Sequence, residues 1–230
     1  MKILRLALVG LVGVASLAAA EVNALSPAEK AAGWKLLFDG KSLAGWRSLK
    51  SEQPGAGWRA EDGALVLAAK SKSGDLVTTE VFGDFELSLE WKVADETNSG
   101  IIYRVGLGEA QTYLTGPEYQ ILDNVKGEDN HPPSHTAAAL YDLAAPPKDF
   151  TRPVGEWNEA RIRVRGWHIE HWLNGEKVVD VDLAGAEGRA LIAASKFKDW
   201  PKFASLLRGH IALQDHGYAV SFRAIKIREL

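Results

Sequence analysis

The chain has no cysteine among its 230 residues, so no disulfide framework is available and a packed core must hold the fold. It also lacks a Gly-x-Ser-x-Gly elbow, a phosphate-cradling glycine loop and a dinucleotide-binding fingerprint. Those absences disfavour nucleophile-elbow hydrolases and cofactor-binding dehydrogenases. Basic residues are not in excess, at 27 Lys and Arg against 30 Asp and Glu, so nothing points to nucleic acid as a partner. After the N-terminal segment no apolar run approaches the ~20 residues of a membrane span.

What is present begins with "MKILRLALVGLVGVASLAAA": two basic residues, a short apolar run, and small residues at Ala18-Ala19-Ala20. This pattern predicts a signal peptide over residues 1–20, cut near Ala20, and hence a periplasmic or secreted protein. Its removal takes away Lys2 and Arg5 and leaves 25 basic against 30 acidic residues, a formal charge of −5. Residues 21–32 read as a lead-in with one short helical turn at "PAEKAAGW". Residues 33–230 read as one domain, a length sufficient for a single core.

The domain reads as strands and turns. "DFELSLEWKV" alternates cleanly, with Phe85, Leu87, Leu89 and Trp91 on one face and Glu86, Ser88, Glu90 and Lys92 on the other. Asp62-Gly63 and Asn174-Gly175 predict tight hairpins, and Arg165-Gly166 separates two further strands. In the last strand the apolar phase slips between Phe222 and Ile225, which predicts a bulge near Ala224. Short alternating strands with few helical pieces define an all-β fold of two antiparallel sheets packed face to face. A Pro-rich, polar segment from Lys126 to Val154 reads as a long excursion over one rim, with Ala137–Tyr141 as a strand inside it.

Two strands carry polar groups unlike those of a merely solvated face. In "GPEYQILDN" the core phase belongs to Tyr119 and Ile121, which places Glu118 and Gln120 together on the opposite side. In "GHIALQDHG", Ile211 and Leu213 take the core phase and send His210, Gln214 and His216 outward. A solvated strand such as "ARIRVR" uses long charged chains, whereas a site favours fixed hydrogen-bonding groups. His131 and His135, with Asp123, Glu128 and Asp129 nearby in sequence, form a candidate divalent-metal set, although their spacing matches no established motif. Lys196, next to Phe197 in "SKFKDW", is a surface lysine or a cationic site group.

The ordered set "LFDGKSLAGW", "NSGIIYR", "GPEYQILDN", "GEWNEARI", "HWLNG", "SKF" and "GHIALQDHG" resembles the bacterial 3-keto-disaccharide hydrolase domain family from about Gly33 to Glu229. The resemblance implies a concanavalin A-like jelly roll. It also implies an exported enzyme of sugar catabolism acting on glycosides whose C3 hydroxyl a separate sugar dehydrogenase has already oxidised. One departure is Ala138-Ala139 where Gly-Ala is expected, which touches the local backbone because glycine admits angles that alanine avoids.

On such a substrate the C3 carbonyl acidifies the C2 hydrogen, so a base can drive elimination of the C1 oxygen, and water then completes net hydrolysis. This chemistry needs a base, a proton donor and groups that stabilise an enolate. Glu118 is the candidate base, with His216 as its alternative, and Lys196 and Arg104 are candidates for the enolate charge. Gln120, Gln214, Tyr103, Asp215 and His171 are candidates for substrate binding, and a divalent ion on Asp123, His131 and His135 for polarising the C3 oxygen. Two other readings stay open: a non-catalytic carbohydrate-binding module on the same fold, and an ordinary glycosidase using Glu118 and Asp123 as paired carboxylates.

Overall fold

The computed structural model describes residues 22–230, so the expected signal peptide and its cut lie outside the described residues. The short helical turn expected in the lead-in is α1 (Pro27–Ala31), which Ser26 caps in a reciprocal capping box with Glu29. Thirteen strands follow: β1 (Lys35–Leu36), β2 (Trp46–Ser48), β3 (Trp58–Glu61), β4 (Ala64–Leu67), β5 (Leu76–Thr78), β6 (Phe85–Val93), β7 (Asn98–Val105), β8 (Glu118–Leu122), β9 (Asn158–Arg165), β10 (His168–Leu173), β11 (Glu176–Asp182), β12 (His210–Leu213) and β13 (Val220–Glu229). Between β11 and β12 lies α2 (Ala186–Ala194), which runs into a 3-10 turn, Lys196–Asp199. Among the described residues no helix is long and apolar enough to cross a membrane.

The strands form two antiparallel sheets. The larger has the order β11-β10-β9-β6-β13-β4-β3 with β1 paired to β13, and the smaller has the order β2-β5-β12-β7-β8. Their inner faces meet in one core. Phe85, Leu87, Leu89, Trp91, Ile162 and Phe222 contribute from the larger sheet, and Ile101, Tyr119, Ile121, Ile211 and Leu213 from the smaller. Each such burial contributes about 1.5–3 kcal/mol, which is how a chain without disulfides is held together.

The turn chemistry is where the sequence places it. Asp62 and Gly63 (φ +50 and +74) connect β3 to β4, and Asn174 and Gly175 (φ +52 and +89) connect β10 to β11. The register of β13 against β6 shifts between Arg223 and Lys226, with Ala224 at φ +52, so the expected bulge is there.

Ala137–Tyr141, expected as a strand, is irregular. Its backbone follows the free edge of β8 through Ala138 N–H to Gln120 O at 2.8 Å, Gln120 N–H to Ala139 O at 3.1 Å and Tyr141 N–H to Glu118 O at 3.0 Å. Ala138 sits at φ +69, the left-handed backbone that glycine would adopt freely, and this breaks the strand geometry. The excursion thus covers an edge that would otherwise expose unpaired backbone groups.

Candidate functional site

The outer face of the smaller sheet is a floor, and the long excursion and the segment after α2 rise beside it. Alternation on β8 sends Tyr119 and Ile121 into the core and turns Glu118 and Gln120 outward, as the sequence indicates. Asn98 on β7 and Gln214, just beyond β12, join them. A cavity of 310 Å³ opens above these groups, near the lower end of the roughly 300–1,000 Å³ usual for small-molecule sites. Asp129 and Tyr141 from the excursion form one wall, Tyr113, Phe197 and Trp200 form an aromatic one, and Lys196 and His216 complete the lining.

Glu118 is almost fully buried, and among the described residues its carboxyl makes no hydrogen bond. The strand beneath it leaves room: Gly100 of β7 has no side chain at the place where the Glu118 carboxyl lies. Burial pushes Glu118 up to about 8. The Lys196 charge pulls it back, while Asp75 and Asp129 push it further upward. Beside it, Gln120 Nε2 donates to Asn98 Oδ1 at 3.4 Å, whereas Gln120 Oε1 and Gln214 Oε1 are buried without a partner. A buried amide oxygen in that condition costs about 1–3 kcal/mol, so both are acceptors prepared for donors on a ligand.

A closed network supports the wall. Asp142 accepts the Lys196 N–H at 2.9 Å through Oδ2, and its Oδ1 lies 3.0 Å from His135 Nε2. His135 Nδ1 lies 2.7 Å from Asp129 Oδ1, and the Tyr141 hydroxyl donates to Asp129 Oδ2 at 2.7 Å. The Lys196 ammonium rests 4.1 Å from the centre of the Tyr141 ring, which closes the circuit. Ser195 fixes the start of the lysine turn by accepting the Phe197 N–H at 3.1 Å.

Five residues expected at the site thus line the cavity: Glu118, Gln120, Lys196, Gln214 and His216. Others do not. Tyr103 shares its phase with Ile101 and points between the sheets, where its hydroxyl donates to His171 Nε2 at 3.0 Å. His171 is itself a core group of β10. Its Nδ1 donates to Ala138 O at 3.1 Å, and burial lowers it to about 4, so it is neutral and structural.

Arg104 is the extra residue of a bulge in β7 opposite the His210/Ile211 register shift, at φ +56. Its buried guanidinium pairs with Asp84 at 3.1 Å, donates to Gly166 O and lies over the Trp167 ring, away from the cavity lining. His210 is turned to Thr78 O at 2.7 Å. Asp215 is a turn brace, accepting N–H groups from Ser73 at 2.7 Å, Gly74 at 3.0 Å and Gly217 at 2.9 Å.

The three candidate metal ligands do not converge. Asp123 spends its carboxylate on the N–H groups of Glu96, Val125 and Lys126. Burial opposes its ionisation, but those three bonds and the Lys126 charge outweigh burial and hold it below the usual carboxylate range. His135 uses both nitrogens within the wall network, and His131 is exposed. Among the described residues no group of three His, Cys, Asp or Glu side chains is arranged to hold a metal ion.

Sequence reasoning missed Asn98, Tyr113, Tyr141 and Trp200, and weighed Asp129 only as a metal neighbour. Asn98 and Gly100 did carry a signal, because a polar residue and a glycine two apart inside a strand mark a close approach. Tyr113 and Trp200 carried none, being 87 positions apart and joined only by the fold.

Fold and cavity together define a concanavalin A-like jelly roll whose smaller sheet bears a ligand-sized cleft with a buried acid at its floor. More particularly, the chain belongs to the 3-keto-alpha-glucoside-1,2-lyase-like domain family, whose model matches residues 33–228. It is 34% identical to a 3-keto-disaccharide hydrolase of Bacteroides thetaiotaomicron, across 94% of this chain and 84% of that one. A candidate glycosyl hydrolase from Parabacteroides distasonis superposes with a TM-score of 0.83 at 30% identity, covering 90% of this chain and 99% of that one. A carbohydrate-binding module from Bacillus subtilis shares the fold alone, with a TM-score of 0.52 at 12% identity over 80% of this chain and 96% of the module.

Proposed function

We propose that the protein is an exported enzyme that cleaves glycosides already oxidised to a ketone at C3, with Glu118 as the base that removes the C2 proton. The observation that carries this reading is the Glu118 carboxyl itself: buried, without a hydrogen-bond partner, seated over Gly100 and sharing its cavity with two residues whose amide oxygens are unpaired. A carboxyl raised to about 8 is a far stronger base, once ionised, than an ordinary glutamate, which suits it to a carbon acid. Family membership and the name of the Bacteroides relative support the substrate class.

In the first step the C2 proton moves to Glu118, and the C–H electron pair forms the C2–C3 enolate. The Lys196 ammonium, held on the Tyr141 ring, offsets charge on the C3 oxygen. Collapse of the enolate restores the C3 carbonyl, forms the C1–C2 double bond and breaks the C1–O bond; the electron pair leaves on the aglycone oxygen, which takes up a proton from solvent, and Glu118 returns the C2 proton to solvent. Addition of water, hydroxyl to C1 and proton to C2, completes net hydrolysis. Gln120 and Gln214 accept hydrogen bonds from sugar hydroxyls through the oxygens that lack partners. A separate 3-dehydrogenase supplies the substrate.

The test is incubation of the mature domain with methyl 3-keto-glucoside in deuterated water. The expected result is deuterium at C2 and release of methanol, both abolished in Glu118→Gln. Binding without either event would leave a carbohydrate-binding module, and exchange that survives in Glu118→Gln but is lost in His216→Ala would move the base to the exposed rim histidine.

A further inference from the structure

The buried side-chain atoms of the cavity that lack a hydrogen-bond partner belong to its floor. Among the buried side-chain atoms left without a partner, Gln120 Oε1 and Gln214 Oε1 line the cavity, and the Tyr113, Phe197 and Trp200 wall contributes none. That wall is braced from behind. Tyr113 packs on the outer-face cluster of Val77, Ile102, Val105 and Ala212. Trp200 meets Phe197 edge-on at 5.1 Å, and Phe197 stacks on Phe203 at 3.8 Å. Tyr113 and Trp200 then stand 5.8 Å apart at 37°, a nearly continuous aromatic surface contributed by two distant chain segments.

Resting on the reading above, we propose that Tyr113 and Trp200 form the leaving-group subsite, and that it selects aglycones with a planar apolar face, aryl groups above a second sugar. A sugar ring placed there brings hydroxyls that must give up water. Each one left without a partner costs about 1–3 kcal/mol, whereas an aryl ring brings none. Aryl faces also gain from offset or edge contact with fixed aromatic rings, and a wall already braced pays little ordering entropy when the ligand arrives. The keto sugar, by contrast, belongs on the floor, where the free amide oxygens and Glu118 are.

The experiment compares kcat/KM on three substrates that share the 3-keto-glucosyl unit and differ in the leaving group: methyl, phenyl and glucosyl. Wild type and Trp200→Leu are measured on all three, and Tyr113→Leu provides the same comparison should Trp200→Leu not fold. The expected result is at least a tenfold fall in the phenyl-to-methyl ratio of kcat/KM and a smaller fall in the glucosyl-to-methyl ratio, with Trp200→Phe restoring most of the phenyl preference. Ratios between variants cancel the intrinsic departure rates of the leaving groups. An equal fall on all three substrates, or a larger one on the glucosyl substrate, overturns the subsite while leaving the cleavage reading intact. No wild-type turnover of the methyl substrate overturns the cleavage reading and the subsite with it.

Discussion

Gly100 lies directly beneath the carboxyl of Glu118, so close that a methyl group at position 100 would collide with Glu118 Oε1. Gly100 is paired in register with Gln120 and its carbonyl accepts the Gln214 N–H at 2.9 Å, so a single residue without a side chain organises three cavity groups. Gly100→Ala is expected to fold, because its φ is not in the left-handed region, and to displace the carboxyl. A misplacement of about 1 Å at a reacting group can cost on the order of 10²-fold, and kcat/KM should fall by about that factor. Steady-state kinetics alongside circular dichroism check this, and near-native activity would show that the glycine is incidental.

The raised Glu118 fixes the sign of two pH profiles. A base must be ionised to act, so kcat/KM should rise with pH and level off above about 8. Stability should run the other way. Between 4.5 and about 8 the folded state holds the Glu118 proton and the unfolded chain releases it. Stability is therefore lost as pH rises through that window, by up to about 1.4 kcal/mol per unit. Glu118→Gln has no such proton to lose. Denaturant titrations of both proteins at pH 5 and pH 8 should show the variant gaining relative to wild type at the higher pH. A gap that does not change with pH would contradict the raised carboxyl.

The strands were legible wherever local chemistry decides structure. Alternation in β6, the two-residue turns at Asp62-Gly63 and Asn174-Gly175, and the slip near Ala224 all follow from a period of two and from residues that tolerate positive φ. The outward phase of Glu118 and Gln120 followed from the same rule. What failed was alternation carried past an irregularity: the extra residue at Arg104 throws its guanidinium toward Asp84 instead of into the cleft. Tyr103 and His171 failed for another reason, since polar tips on core positions can satisfy one another across the sandwich. The aromatic wall was not legible at all, because only tertiary packing brings Trp200 to Tyr113.

Tyr103 and His171 therefore belong to stability and not to substrate. Tyr103→Phe removes the donor to His171 Nε2 and leaves a buried acceptor unpaired, which should cost about 1–3 kcal/mol. Activity per folded molecule should change little. His171 is held neutral near pKa 4 against an ordinary 6.5, so the unfolded chain takes up its proton first as pH drops. Wild-type stability should then decline from pH 6.5 toward pH 4. Chemical denaturation gives the first number, and a large rise in KM for Tyr103→Phe would return the tyrosine to the binding surface.

Asp142 ties the excursion to the turn that carries Lys196, and its backbone makes the two roles separable. At φ +58 it occupies the left-handed region, where alanine is strained but glycine and asparagine are tolerated. Asp142→Gly thus removes the carboxylate that holds the Lys196 N–H and His135 Nε2 without adding backbone strain. Asp142→Asn keeps an acceptor for the Lys196 N–H and places an amide in place of the carboxylate beside His135 Nε2. If the carboxylate serves to place Lys196 over Tyr141, the glycine variant should lose about tenfold or more in kcat, with KM less affected, because the charge on the enolate matters most in the transition state. The asparagine variant should recover most of that loss. If the negative charge itself is what the wall requires, both variants fail alike. Stopped-flow or steady-state rates on methyl 3-keto-glucoside distinguish the two outcomes, and an unimpaired glycine variant would mean that the lysine needs no such anchor.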